Sequence, residues 1–247
     1  MAYSNESYWN NQREKLGIYE YDQAKGCFVY VGGITDFEGQ EGRYVRTSIT
    51  GSGIYAVLLR NITFADVPSN HWASSKIEVL ASRGIVDGMS ANTFAPKGTL
   101  TRAQFSKMLA GALGISPLHP DRPTFSDVGQ QKWSYGWIEA AAAAGIVQGD
   151  NGKFKPDDAL TREQMMTMLV RAAESRLSAA DQGKSNVSLD QFTDSSTISS
   201  WAKPYVTKAL TLQLIEGSGD KLNARSQTTR AEAAAVIYRL MDQLNLL

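Results

Sequence analysis

The sequence predicts a mainly α protein, three helix-turn-helix repeats behind a small β segment, and three observations predict it. Nearly the same pentapeptide is written three times, LTRAQ at Leu100 to Gln104, LTREQ at Leu160 to Gln164 and TTRAE at Thr228 to Glu232. The distance from an upstream Phe to the threonine before Arg is constant: Phe64 to Thr101, Phe125 to Thr161 and Phe192 to Thr229, or 37, 36 and 37 residues. Between those landmarks each copy carries a helical apolar period, a short apolar pair and a glycine. Constant spacing of this kind marks one structural unit used three times.

The first element, residues 1–62, reads as β. LGIYEYD, CFVYVGG and GIYAVLL look like strands parted by Gly-rich turns, too few to close a sheet comfortably, so the expectation is the end of an upstream domain. The start, MAYSNESYWNNQ, lacks the basic and apolar regions of a signal peptide, and no stretch reaches the roughly eighteen apolar residues of a spanning helix. Membrane insertion is therefore not expected, and the chain reads as cytosolic or as a fragment.

Of the 247 residues 43% are hydrophobic, enough to bury real cores. Twenty-five basic residues balance twenty-five acidic ones, so wholesale attraction to nucleic acid or an anionic surface is not indicated and any anion binding must be local. The single Cys27 excludes an internal disulfide or a thiolate metal cluster.

The repeats follow at 63–116, 124–177 and 191–247. In each, Trp72, Trp133 or Trp201 opens a first helix, with apolar positions such as Ile77, Leu80 and Ala81. Gly84 and Gly145 suit left-handed C-caps. The apolar pairs Ile85-Val86, Ile146-Val147 and Leu214-Ile215 precede Gly88, Gly149 and Gly217, which either make a tight turn or admit a close backbone approach. The second helix starts at the pentapeptide. Its stripe, Phe105, Met108, Leu109 and Ala112 or Met165, Met168, Leu169 and Ala172, reads as core. SPLHPDRPT and SRLSAADQGKSNVSLD read as linkers. A two-helix unit buries its apolar face poorly alone, so the three are expected to pack together.

In the pentapeptide, threonine is an N-cap and Gln104, Gln164 or Glu232 the N3 partner of a capping box, worth about 1 kcal/mol per helix. Leu100 with Phe105 and Leu160 with Met165 add hydrophobic staples that Thr228 with Ala233 cannot match. Capping leaves Arg102, Arg162 and Arg230 unexplained. They fall at N1, where the helix dipole disfavours a cation. Two partners are open: the FxD carboxylates Asp66, Asp127 and Asp194, or a ligand anion held by free helix amides and a guanidinium fork.

FxDVxxxxW, GIVxG and FxPxxxLTRxQ/E, three times in order over Phe64 to Leu247, resemble the S-layer homology domain family of bacterial surface proteins. The resemblance implies a three-lobed, mostly helical prism with pseudo-threefold symmetry. Its inter-repeat grooves would bind secondary cell wall polysaccharide, often through pyruvylated N-acetylmannosamine, and hold a secreted protein noncovalently on a cell wall, best matched to a Gram-positive one. The same resemblance points to Arg102, Arg162 and Arg230 as ligand contacts. A ketal-linked pyruvate carboxylate matches a two-pronged guanidinium. Trp72, Trp133 and Trp201 could offer a flat face to a sugar, although an indole buries so much area that core is the preferred reading. Gly88, Gly149 and Gly217 could let backbone approach the saccharide. The β segment, Leu16 to Leu59, is similar to short β segments that precede such repeats in larger extracellular enzymes and S-layer proteins. The third copy departs, with Leu214 taken against Gly84 and Gly145 and LNARSQ in place of FxPxxx, so its groove is expected to be the weakest. Gln104 and Gln164 replace the family's glutamate and remove a negative charge beside the arginine.

Catalysis is not expected: His71 and His119 belong to no HExxH, no GxSxG or phosphate loop occurs, and Asp157-Asp158 reads as solvated charge in a turn. GDNGKFKPDD lacks EF-hand spacing and reads as an Asn-Gly turn, so neither metal nor cofactor is expected. A monomer is expected. The rival to a polysaccharide anchor is a repeat scaffold for a protein partner, or an accessory module of a wall- or glycan-degrading enzyme.

Overall fold

The computed structural model describes residues 12–36, 44–49, 51–177 and 187–247; the readings of the first eleven residues and of most of the second linker fall outside these. The chain forms two compact units, residues 1–95 with 241–247, and residues 96–240.

In the first unit, β1 (Leu16–Asp22) lies between β2 (Cys27–Gly32) and β5 (Tyr55–Leu59) in an antiparallel sheet, while β3 (Ile34–Asp36) pairs with β4 (Tyr44–Arg46). The three strands expected from the sequence are those of the first sheet. Asp22 shapes the β1–β2 turn by accepting from the amides of Ala24 and Lys25, and Gly26 supplies the left-handed residue, φ 65°. So small a sheet needs a partner for its apolar face. That partner is α1 (Ser74–Ser82), the first helix of the first repeat. Tyr19, opposite Tyr30 and Ala56, is fully buried and donates its hydroxyl to the Ser82 carbonyl at 2.6 Å. Lys15 pairs with Glu78 at 2.8 Å. Just past the helix, the fully buried Arg83 donates through Nε to the Glu14 carbonyl (2.6 Å) and through Nη1 to the Leu246 carbonyl (2.6 Å). The β segment and the chain's last residues are thus bound to the first repeat.

The second unit contains α2 (Arg102–Ala112), α3 (Tyr135–Ala143), α4 (Arg162–Glu174), α5 (Lys203–Thr211) and most of α6 (Arg230–Gln243). The stripes predicted as core are core: Phe105, Leu109, Met165, Leu169 and Ala172 are fully buried. Helices pair across repeats, α2 against α3 and α4 against α5. SPLHPDRPT is no loose linker, because Leu118 donates to the Gly136 carbonyl and Tyr135 to that of Pro120.

Where the repeats meet, the pentapeptide starts close a ring of backbone hydrogen bonds. The Leu160 amide donates to Leu100, that of Thr228 to Leu160 and that of Leu100 to Thr228, at 3.0, 2.8 and 3.4 Å. All three side chains are buried. These bonds join one short segment from each of the three repeats.

Candidate functional site

Each second helix begins with the capping box expected of it. Thr101, Thr161 and Thr229 accept from the amides of Gln104, Gln164 and Glu232 and donate their own amides to those side chains. The next two amides contradict the expectation of free donors. Those of Arg102 and Ala103 donate to Asp158 and Pro156 carbonyls, those of Arg162 and Glu163 to Ser226 and Ala224, and those of Arg230 and Ala231 to Gly98 and Pro96, all at 2.8–3.0 Å. A helix start whose amides are filled by a neighbouring loop has nothing left for an anion.

Among the described residues Asp127 and Asp194 form no ion pair with Arg102 or Arg162, contrary to one of the two readings. Asp127 accepts from the Phe154 and Lys155 amides at 2.8 and 2.7 Å, and Asp194 from Leu222 and Asn223 at 2.9 and 2.7 Å. Asp66 does the same for Phe94 and Ala95. The second residue of each pair is left-handed without being glycine, Ala95 at φ 59°, Lys155 at 59° and Asn223 at 52°. Such backbone persists only when its surroundings hold it. Arginine supplies the other hold: Arg102 Nε donates to the Phe154 carbonyl (2.9 Å) and Arg162 Nε to that of Leu222 (3.0 Å). One peptide is gripped by an aspartate from its own repeat and by an arginine from the repeat before.

The remaining guanidinium nitrogens differ between junctions. Arg162 Nη1 pairs with Glu232 Oε1 at 2.7 Å, while Glu232 Oε2 accepts from the Thr229 amide and hydroxyl. At the preceding junction the corresponding N3 residue is Gln164, whose Oε1 caps its own helix. Among the described residues Arg102 has no carboxylate in ion-pair range; Nη2 reaches the Gln148 carbonyl at a long 3.4 Å, and the guanidinium lies 4.5 Å over the Phe154 ring. Burial lowers its pKa from the ordinary arginine value, the charges of Asp158 and Asp127 oppose that shift, and Arg171 adds to it. Arg230 is buried, at 9% exposure.

The core reading of the tryptophans is overturned: Trp72, Trp133 and Trp201 are 59%, 60% and 51% exposed. Each stands just ahead of its helix, α1, α3 or α5, where the chain has not yet turned inward. Gly88, Gly149 and Gly217 serve the turn. A Cβ on Gly149 would meet the Lys153 carbonyl and the Phe125 ring at 2.7 Å, and one on Gly217 the Phe192 ring at 2.6 Å. Gly84 and Gly145 are left-handed as expected, but in the third copy that place is taken by Gln213 at φ 54°; Leu214 is the first of the buried apolar pair. Asn151 and Gly152, both at positive φ, make the turn between Asp150 and Lys153, and no cluster of metal-ligating side chains occurs among the described residues.

Sequence reasoning missed Gln148 and Arg171, which flank Arg102. Their only signal is Arg171 and Arg239 recurring nine residues after Arg162 and Arg230.

A family model described as the S-layer homology domain matches residues 63–106, 124–166 and 191–234. An amylopullulanase of Thermoanaerobacterium thermosulfurigenes is 36% identical over 234 residues, 94% of this chain and 12% of that protein. So long a match includes most of the β segment. Exoglucanase XynX of Acetivibrio thermocellus is 41% identical over 76% of this chain and 17% of its own length. S-layer protein sap of Bacillus anthracis is 32% identical over 73% of this chain and 21% of its own length. The chain spans about a fifth or less of these relatives. Among the described residues no helix is long and apolar enough to cross a membrane.

Proposed function

The chain belongs to the S-layer homology domain family, and from that premise we propose that it anchors a surface protein noncovalently to a bacterial cell wall by binding secondary cell wall polysaccharide at the junctions between repeats. The ligand group is the carboxylate of pyruvylated N-acetylmannosamine. One observation carries this reading: Arg102, largely withdrawn from water, has its Nε fixed on the Phe154 carbonyl and, among the described residues, no carboxylate on its terminal nitrogens. A desolvated guanidinium of that kind favours a bidentate anion. The exposed indoles of Trp72, Trp133 and Trp201 offer apolar faces for sugar rings.

In this reading the chain acts as a non-catalytic anchor. Relatives of both kinds, S-layer proteins and polysaccharide-degrading enzymes, share the matched segment, so the anchor serves whatever is attached to it. The test is cosedimentation of the chain with purified wall polymer before and after chemical removal of pyruvate. Binding should vanish with the pyruvate, and Arg102→Ala should weaken it by about 2–5 kcal/mol, the loss for a desolvated charged contact. Equal binding to both polymers would refute the carboxylate as the recognised group.

A further inference from the structure

Repeats two and three fill the same positions with different charge. In repeat three, Glu232 pairs with Arg162 at 2.7 Å, and Glu216 pairs with Arg239 at 3.2 Å. The corresponding residues of repeat two are both amides. Gln164 stands for Glu232, and Gln148 for Glu216. Two arginines consequently face neutral partners. Arg171, the counterpart of Arg239, donates through Nη2 to Gln148 Oε1 at 2.9 Å and to the Tyr205 hydroxyl at 3.2 Å, with its guanidinium 4.9 Å over the Tyr205 ring. Arg102 Nη2 touches the carbonyl of the same Gln148. Among the described residues neither arginine has a carboxylate in ion-pair range.

The acids nearest Arg102 do not change this. Asp127 and Asp158 act on it only at a distance, and both carboxylate oxygens of Asp127 are engaged by the Phe154 and Lys155 amides. Two guanidiniums held on either side of one glutamine, neither in ion-pair contact with a carboxylate among the described residues, make a site that an anion would stabilise.

We propose that the junction of repeats one and two is an anion site built from Arg102 and Arg171 together, and that Glu232 closes the corresponding site on Arg162 by acting as a built-in anion. Arg171 and the Gln164/Glu232 difference thereby decide which junction takes ligand. This rests on the polysaccharide reading only for the identity of the ligand. The site itself needs nothing but a carboxylate.

The two exchanges that test it leave the helix caps intact, because glutamine and glutamate both complete the capping box in this chain. The whole chain is titrated with sodium pyruvate while the guanidinium Nε–H resonances of Arg102, Arg162 and Arg171 are followed by NMR. In the wild type Arg102 and Arg171 should shift and Arg162 should not. Gln164→Glu should weaken the Arg102 response about tenfold or more, the scale of one charge-assisted contact, and Arg171→Gln should do the same. Glu232→Gln should make Arg162 respond. Calorimetry with a pyruvylated N-acetylmannosamine saccharide should then show one more site in Glu232→Gln than in the wild type. An Arg162 response equal to that of Arg102 in the wild type, or an Arg102 response untouched by Gln164→Glu, would overturn the proposal. Pyruvate shifts at Arg102 without any saccharide binding would instead sink the polysaccharide reading and leave this site standing.

Discussion

Asp127→Asn tests whether the inter-repeat loop is held by its aspartate. The carboxylate accepts two backbone amides at 2.8 and 2.7 Å, from Phe154 and from the left-handed Lys155, and Arg102 grips the carbonyl of the same peptide. A hydrogen bond to an ionised group is worth about 1.5–3 kcal/mol net. Asparagine keeps one acceptor, without charge, and turns an NH2 toward the second amide. One bond is weakened and one amide is left facing a donor, a loss of about 2–4 kcal/mol, a large share of the roughly 5–15 kcal/mol by which folded proteins are stable. Urea unfolding at neutral pH measures the gap, and its pH dependence identifies the cause. Burial raises the Asp127 pKa, but the bonds from Phe154 and Lys155 outweigh it and leave the group below its ordinary value. A folded-state pKa below the unfolded one gives stability that is complete above about pH 4, where the unfolded carboxyl ionises, and is lost as pH falls through the folded value. The difference between wild type and Asp127→Asn should therefore shrink in acid. A gap below about 0.5 kcal/mol at neutral pH, within the range of ordinary surface changes, or one as large in acid as at neutrality, would refute the clamp.

Thr228→Val should stabilise the chain by about 1 kcal/mol, because the buried Thr228 hydroxyl has no partner among the described residues, and Tm should rise by about 2–4 °C; a fall would mean the hydroxyl is satisfied. Gly149→Ala should cost about 1–3 kcal/mol in thermal unfolding, since its Cβ would sit 2.7 Å from both the Lys153 carbonyl and the Phe125 ring; a neutral result would show that the turn can shift. Arg83→Met should cost about 2–4 kcal/mol by stranding the Glu14 and Leu246 carbonyls, and limited proteolysis should then cut ahead of Phe64; unchanged resistance would show that the β segment holds without it.

Much of the architecture was legible because it is local. Capping boxes, Gly84 and Gly145 at the helix ends, and stripes such as Phe105, Met108 and Leu109 depend on residues three or four apart, and the period of the chain repeats them, the glycine in two copies and the capping box in all three. The work of Asp127 was not legible, because an FxD aspartate beside an arginine at a helix start suggests an ion pair, and only the fold shows 27 and 28 residues of chain bringing two amides to it instead. The tryptophans misled for a related reason. An indole is large enough to be core, but Trp133 stands before the first turn of α3, where burial is decided by the chain's entry angle and not by side-chain size. Gln148 and Arg171 were overlooked because neither belongs to a motif; their meaning appears only against Glu216 and Arg239.

That comparison also decides how the arginine should be probed. Arg102 offers two sets of atoms: Nε fixes the Phe154 carbonyl, and the terminal nitrogens meet no carboxylate in ion-pair range among the described residues. Arg102→Ala removes both, so lost binding after that change mixes a damaged junction with a missing contact. Gln164→Glu leaves Nε and its carbonyl alone and addresses only the charge, as Glu232 does for Arg162. Glutamate at N3 therefore strengthens a junction by the same contact that would occupy its anion site, and glutamine leaves that contact to a ligand. On that account stability and ligand binding should move in opposite directions when Gln164 and Glu232 are exchanged, a sign that loss of folding alone cannot produce.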